Sequence, residues 1–294
     1  MRPSKDPETF IAHESHIIDL KFLPDPPVLL TAGMDNLVHL WSGPPWLKTQ
    51  TLKGHQKSVN SLAVTPTGSR LITASSDHSV RLWNLQNGKE IKSLGVKGNQ
   101  AVLSSQGNFL GVLDNPWLTL MDFYQEEILK RFKPFPKRTT SLAFCPNENC
   151  LAVGGQGDEI LIFDLPGCSQ VKQIENAHTG YVLSLAFSPD GNQLVSTGLE
   201  RRLRFWDSTH WELLREISLD HPGVQSLEFS QSGKSLAVAS DHRVTLIDAE
   251  ARIITQTIDL PPKGVYCLAF SPGDQWLACG AADKRVRIWE ILKE

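Results

Sequence analysis

The sequence predicts an all-β chain arranged as a seven-bladed β-propeller of four-stranded antiparallel blades, closed by the N-terminal strand, and three observations carry that prediction. An apolar anchor recurs at Trp41, Trp83, Met121, Phe163, Trp206, Ile247 and Trp289, with gaps of 42, 38, 42, 43, 41 and 42 residues. A second apolar residue precedes each anchor by 18 or 19 positions: Phe22, Val64, Leu103, Phe144, Phe187, Phe229 and Phe270. Between the anchors lie short alternating apolar runs, such as Ser61 to Val64, Leu71 to Ala74 and Val80 to Trp83, separated by turn residues. Period-two alternation marks a half-buried strand, and a repeat of about 40 to 45 residues is the size of one propeller blade.

In order, the blade units run approximately 12–53, 54–94, 95–133, 134–175, 176–218, 219–259 and 260–294. First hairpins carry their own turn chemistry: Thr65-Pro66-Thr67-Gly68 in unit two, Ser188-Pro189-Asp190-Gly191 in unit five and Ser271-Pro272-Gly273-Asp274 in unit seven. Only five residues follow Trp289, too few for a turn and a fourth strand. Thr9 to Ile11 before His13 is similar to Thr51 to Lys53 before Gly54-His55. Residues 8–11 are therefore expected to supply the strand that unit seven lacks, pairing an edge otherwise left open. All of 1–294 then reads as one propeller domain.

These residues carry a family resemblance. Gly54-His55 followed by Thr73, Asp77 and Trp83-Asn84 resembles a WD40 repeat, unit five ends in a literal Trp206-Asp207, and the resemblance spans nearly the whole chain. It implies that a His, a strand Ser or Thr, a turn Asp and the Trp form a hydrogen-bonded chain within a blade, satisfying buried groups that would otherwise cost about 1 to 3 kcal/mol each. The matching positions are His13, Thr31, Asp35 and Trp41 in unit one and His55, Thr73, Asp77 and Trp83 in unit two. Unit five offers His178, Ser196, Glu200 and Trp206, with Glu in place of Asp. Unit seven keeps Asp283 and Trp289 but has Pro261 at the His position, and unit six has Asp241 with a displaced His221. Units three and four lack the set and must rely on packing alone. A His and Asp pair that recurs, as His13 with Asp35 and His55 with Asp77, reads as scaffolding rather than catalysis.

Bulk composition narrows the function. With 40% hydrophobic and 21% charged residues, the chain has the mixture of a folding globular protein. Net charge is −3 and no basic run exceeds the pairs Lys137-Arg138 and Arg201-Arg202, so no nucleic-acid partner is expected. The most basic stretch, Lys130 to Arg138, reads as a solvated outer strand and loop. Met1 to Phe10 is polar, and no window approaches the roughly 18 apolar residues of a membrane span, which predicts a soluble, cytoplasmic protein. Cys145, Cys150, Cys168, Cys267 and Cys279 show no CxxC spacing and are expected as reduced thiols.

No catalytic, metal or cofactor residue is assigned. His13-Glu14-Ser15-His16 lacks the four-residue helical spacing of a zincin, and Gly154-Gly155-Gln156-Gly157 has no helix behind it to receive a phosphate. No GxSxG elbow occurs. The chain is read as a non-enzyme without cofactor.

The resemblance also implies a binding face. In WD40 proteins the wider top face holds proteins or peptides through the third and fifth residues after the His position and the residue before the turn Asp. Here those positions put large side chains in blades five, seven and one: Tyr181, Leu183, Leu199, Tyr266, His16, Ile18 and Met34. Tyr and Met suit a desolvated interface centre, and an exposed apolar patch usually has a use. The expected function is a scaffold that binds a protein or peptide partner on that face, as a monomeric propeller within a complex. The alternatives are a structural subunit of a stable multiprotein complex and a propeller enzyme or small-ligand binder using the central channel. Trp46 and Trp211 are expected toward the opposite face, as a second, lesser surface or as covers of a strand edge, and Trp117 and Trp276 as blade packing.

Overall fold

The structure, a computed structural model, describes residues 2–4, 6–24, 27–220, 223–261 and 264–292, with only the backbone of Arg2 and Leu292. Its strands form seven antiparallel sheets, six of four strands and one of five. Blade one runs Ile17–Phe22, Val28–Gly33, Val38–Ser42 and Leu47–Leu52, from the channel to the rim. The first strands of successive blades pack side by side, and Val265–Phe270 of blade seven meets Ile17–Phe22 of blade one. The apolar core lies between adjacent sheets, where buried Leu, Val and Ile from one blade face those of the next.

Closure uses both ends of the chain. Glu8–Ile11 pairs with Arg285–Leu292 in the register Glu8↔Ile288, Thr9↔Arg287, Phe10↔Val286 and Ile11↔Arg285. The pairing extends further than residues 8–11, because Arg2 and Pro3 also pair with Leu292 and Ile291. Phe10 seats its ring 4.6 Å from that of Trp41, which ties the closing strand to blade one.

The first hairpins share one side-chain device. Thr65, Ser104, Ser188, Ser230 and Ser271 each accept the backbone N–H of the residue five positions on, at 2.9 to 3.1 Å. Blade four has Cys145 there instead, across from Cys150, and both are free thiols.

The polar chains of blades one, two and five are formed, each with its His, hydroxyl, acid and Trp in hydrogen-bond contact. His55 Nδ1 lies 2.9 Å from Asp77, its Nε2 lies 2.7 Å from Thr73 Oγ1, and Trp83 Nε1 donates to that oxygen at 2.8 Å. The same contacts link His13 to Asp35 (2.9 Å) and Thr31 (2.8 Å), with Trp41 donating to Thr31 at 3.0 Å. In blade five His178 meets Glu200 and Ser196, both at 2.7 Å, and Trp206 donates to Ser196 at 2.8 Å.

Elsewhere the position is filled differently. In blade seven, which lacks the His, the buried Arg287 takes the acid, its guanidinium reaching Asp283 at 2.5 and 3.2 Å. Burial raises the Asp283 carboxyl, but the Arg287 contact outweighs it and holds the acid below the ordinary carboxylate range. Blades three, four and six place Val112, Val153 and Val238 where blades one, two and five have Thr31, Thr73 and Ser196, all fully buried, and blade seven has Cys279 there. Removing both partners of a buried hydrogen bond avoids the penalty that removing one incurs. In blade four Phe135 occupies the His site: a Cβ on Gly155 would lie 2.2 Å from its ring, as one on Gly33 would lie 2.5 Å from His13. His221 of blade six lies outside the described residues.

Candidate functional site at the top mouth of the channel

The mouth is shaped by a repeated backbone irregularity. In six blades the first pairing shifts register by one residue near its start, between Ile17 and Asp19, Val59 and Ser61, Thr139 and Ser141, Val182 and Ser184, Val224 and Ser226, and Val265 and Cys267. The skipped residues are Ile18, Asn60, Thr140, Leu183, Gln225 and Tyr266. A bulge leaves its extra residue unpaired and re-aims its side chain. These six consequently line the central cavities instead of the interblade cores.

At the rim, Ile18, Tyr181, Leu183 and Leu199 share one concavity of about 560 Å3 with Asn60, Asn99, Gln100, Asn115, Arg138 and Gln225. Apolar side chains of blades one and five and side-chain amides of blades two, three and six thus line the same concavity. Leu199 is 52% exposed. Asn60 is oriented by donating to Ser76 at 2.9 Å and to the Asn99 carbonyl at 3.1 Å. Tyr266 sits deeper, in the channel, with the His16 ring 5.9 Å from its own. His16 Nδ1 is buried with no hydrogen-bond partner in the structure. Met34, 47% exposed, stands outside the concavity, its N–H donating to the His16 carbonyl at 2.9 Å.

Below the mouth, the channel encloses about 690 Å3 and carries charges that the sequence analysis did not single out. Asp19 accepts the N–H groups of Leu20 (2.8 Å) and of Leu62 in the next blade (2.7 Å). Lys21 reaches Glu228 at 3.4 Å. Burial pushes the Asp19 carboxyl up to about 6 against the pull of Lys21. Aligning the blades would have shown the signal: the Asp19 position is Ser61, Ser141, Ser184 and Ser226 in blades two, four, five and six, and the Lys21 position is Ala63, Ala143, Ala186 and Ala269 in blades two, four, five and seven. Ser61 and Ser141 make the same clasp, accepting from Ala101 at 2.8 Å and Leu185 at 2.9 Å.

Three further expectations meet the structure. Trp46 is not a surface residue of the opposite face: it is 4% exposed, wedged between Phe22 (5.8 Å) and Trp276 (5.7 Å) where blades seven and one meet. Trp211 is half-buried against Phe187 at 6.4 Å. Trp117 is not a packing residue alone, since Arg131 and Lys133 lie over its ring at 4.9 and 4.6 Å. The basic stretch falls on the outer strand Glu127–Phe132 and the loop after it, and Lys130 donates to the Cys168 carbonyl at 2.6 Å. At the outer flank of the polar chain in blade one, burial pushes the His39 imidazole down to about 4, so the ring is uncharged at neutral pH. Among the described residues no helix is long and apolar enough to cross a membrane.

Comparison with known proteins matches this architecture. The family described as WD domain, G-beta repeat matches residues 5–42, 46–84, 169–207, 211–248 and 254–290. The unmatched stretch between 84 and 169 holds blades three and four, two of the blades without a His-centred polar chain. "Small ribosomal subunit protein RACK1y" of Oryza sativa subsp. japonica is 27% identical over 170 residues, covering 55% of this chain and 46% of that protein. "Pre-mRNA-processing factor 19 homolog 2" of Arabidopsis thaliana is 26% identical over 291 residues, covering 96% of this chain and 48% of its own length. "COMPASS component SWD3" of Saccharomyces cerevisiae is 24% identical over 209 residues, with coverage of 67% and 66%. The chain thus spans about half the length of the first two relatives.

Proposed function

The chain belongs to the WD domain, G-beta repeat family, and from that premise we propose that it is a non-enzymatic platform holding a protein or peptide partner over the top mouth of its channel. The observation that carries this reading is the concavity that Ile18, Tyr181, Leu183 and Leu199 line together with the amides of Asn60, Asn99, Gln100 and Asn115. Apolar anchors give a partner's side chains somewhere to desolvate, and the amides across from them can bond a peptide backbone without demanding a charge. The channel charges have structural employment instead: Asp19 clasps blade two, and Lys21 pairs with Glu228. We read the whole of 1–294 as a single cytoplasmic propeller domain, monomeric within a complex and without a nucleic-acid ligand.

Relatives named as a ribosomal-subunit protein and a COMPASS component favour a second reading, that the chain is a permanent subunit of an assembly. Co-purification at fixed stoichiometry through high salt distinguishes that from transient scaffolding. The primary test is affinity capture with mass spectrometry, comparing the wild type with Tyr181→Ala/Leu199→Ala of unchanged circular dichroism. Loss of two anchors should weaken partner retention by at least about thirtyfold, the ratio for a hot spot of about 2 kcal/mol. Equal retention by the folded variant would refute the site.

A further inference from the structure

We propose that His13 Nδ1, His39 Nε2 and a carboxylate oxygen of Asp35 form a zinc(II) site that staples the ring-closing strand to blade one. One ring nitrogen from each histidine and one Asp35 oxygen lie within 4.8 Å of one another, and the two rings are 4.6 Å apart. Zinc bound at about 2.0 to 2.2 Å in tetrahedral geometry sets its ligands roughly 3.3 Å apart. The 2.9 Å contact of His13 with Asp35 therefore opens by a few tenths of an ångström as His39 closes in.

The surrounding bonds suit such a centre. A ligating imidazole is held in place through its other ring nitrogen, and both rings have that support. His13 Nε2 is 2.8 Å from Thr31 Oγ1, and His39 Nδ1 is 2.9 Å from Thr51 Oγ1. Zinc at His13 Nδ1 moves that ring's proton to Nε2, which then donates to Thr31, so the ring stays neutral. A cavity of about 340 Å3 opens beside the cluster and leaves room for a water as fourth ligand. Glu14 lines it, as do Lys48 and Lys53, so the two lysines are offset by the Asp35 and Glu14 carboxylates. Two imidazoles with a carboxylate favour zinc over calcium or magnesium, which take oxygen ligands.

The strongest argument comes from the sister blades. His39 stands opposite Thr31, and the residues at that register in blades two, five and seven are Arg81, Arg204 and Arg287. Arg287 pairs with Asp283 at 2.5 Å and Arg204 approaches Glu200 at 3.7 Å, so blades seven and five bring a fixed cation to their turn acid, while Arg81 of blade two pairs with Glu90 at 2.7 Å. Blade one has an imidazole where they have the guanidinium, and zinc restores the missing positive charge. His13 follows directly on the closing strand while Asp35 and His39 belong to blade one, so a bound ion links the two across the seam.

The test uses the full chain, stripped with EDTA and titrated with zinc chloride by calorimetry and thermal melting near neutral pH. One zinc per chain should bind, the melting temperature should rise with zinc concentration, and EDTA should reverse the rise. His39→Arg installs the residue of the sister blades and should fold; with His39→Gln as a second variant, each should weaken zinc binding at least tenfold and abolish the thermal shift. His16→Ala, outside the cluster, should bind zinc as the wild type does. Failure of the wild type to bind zinc stoichiometrically, or undiminished binding by both His39 variants, would overturn the proposal.

Discussion

Thr73 joins the two halves of the blade-two chain, because its single oxygen meets both His55 Nε2 and Trp83 Nε1. Thr73→Val keeps the shape and the strand preference but leaves both nitrogens buried without a partner. At about 1 to 3 kcal/mol for each orphaned group, the substitution should cost about 2 to 6 kcal/mol, roughly 10 °C in melting temperature. Blade four contains the remedy, since Phe135, Val153 and Phe163 occupy the corresponding places with every polar member removed. The triple variant His55→Phe/Thr73→Val/Trp83→Phe therefore orphans nothing. Asp77 would still accept from Ser79 Oγ at 2.6 Å and from the Gln56 N–H at 2.9 Å. What remains is the volume lost at Trp83, about 1 to 3 kcal/mol. Urea denaturation of the three single variants and the triple measures the coupling directly. The triple should be at least about 2 kcal/mol more stable than the summed single costs predict. Simple additivity would show that the chain is not a unit, and the reasoning would fail.

Two further outcomes follow from the channel and the seam. Asp19 has a folded pKa of about 6 against an ordinary 3.8, so its ionisation opposes folding: its contribution is full below about pH 4 and is lost as pH rises through 6. At about 1.36 kcal/mol per pH unit the loss approaches about 3 kcal/mol at neutral pH. Asp19→Ser, which copies Ser61 and Ser141, should gain on the wild type across that window in urea midpoints, and a pH-independent difference would contradict the assignment. Deleting residues 1–11 leaves the outer edge of Arg285–Leu292 unpaired and strips Phe10 from Trp41. The loss should exceed about 3 kcal/mol, the burial of one aromatic side chain, and an unchanged melting curve would show that closure contributes nothing.

The ring was legible because its unit is written seven times, and a strand pattern repeated at near-constant spacing averages out local ambiguity. The polar chains of blades one, two and five were legible for the same reason, each having a fixed internal spacing. What sequence reading missed were single departures at aligned positions. Phe135 reads as part of a basic loop until the Gly155 contact shows it in the His site. Arg287 was not singled out in the sequence, and the structure finds it buried on Asp283. Trp46 sits by the turn between inner and outer strands, which predicts the opposite face, yet the junction of the last and first blades buries it as a large filler. The top-face positions were located by resemblance, and the bulge that turns their side chains inward is a property of pairing, which no single strand reveals.

The seam also has a history in time. Ile11 pairs with Arg285, 274 residues later, so the strand that completes the last blade leaves the ribosome long before its partner. At about 5 to 20 residues per second, the closing strand waits roughly 14 to 55 s for its partner. Until then, Thr9, Phe10 and Ile11 present a β-prone segment to every other nascent chain nearby. The order of synthesis thus makes the youngest propeller its most adhesive form.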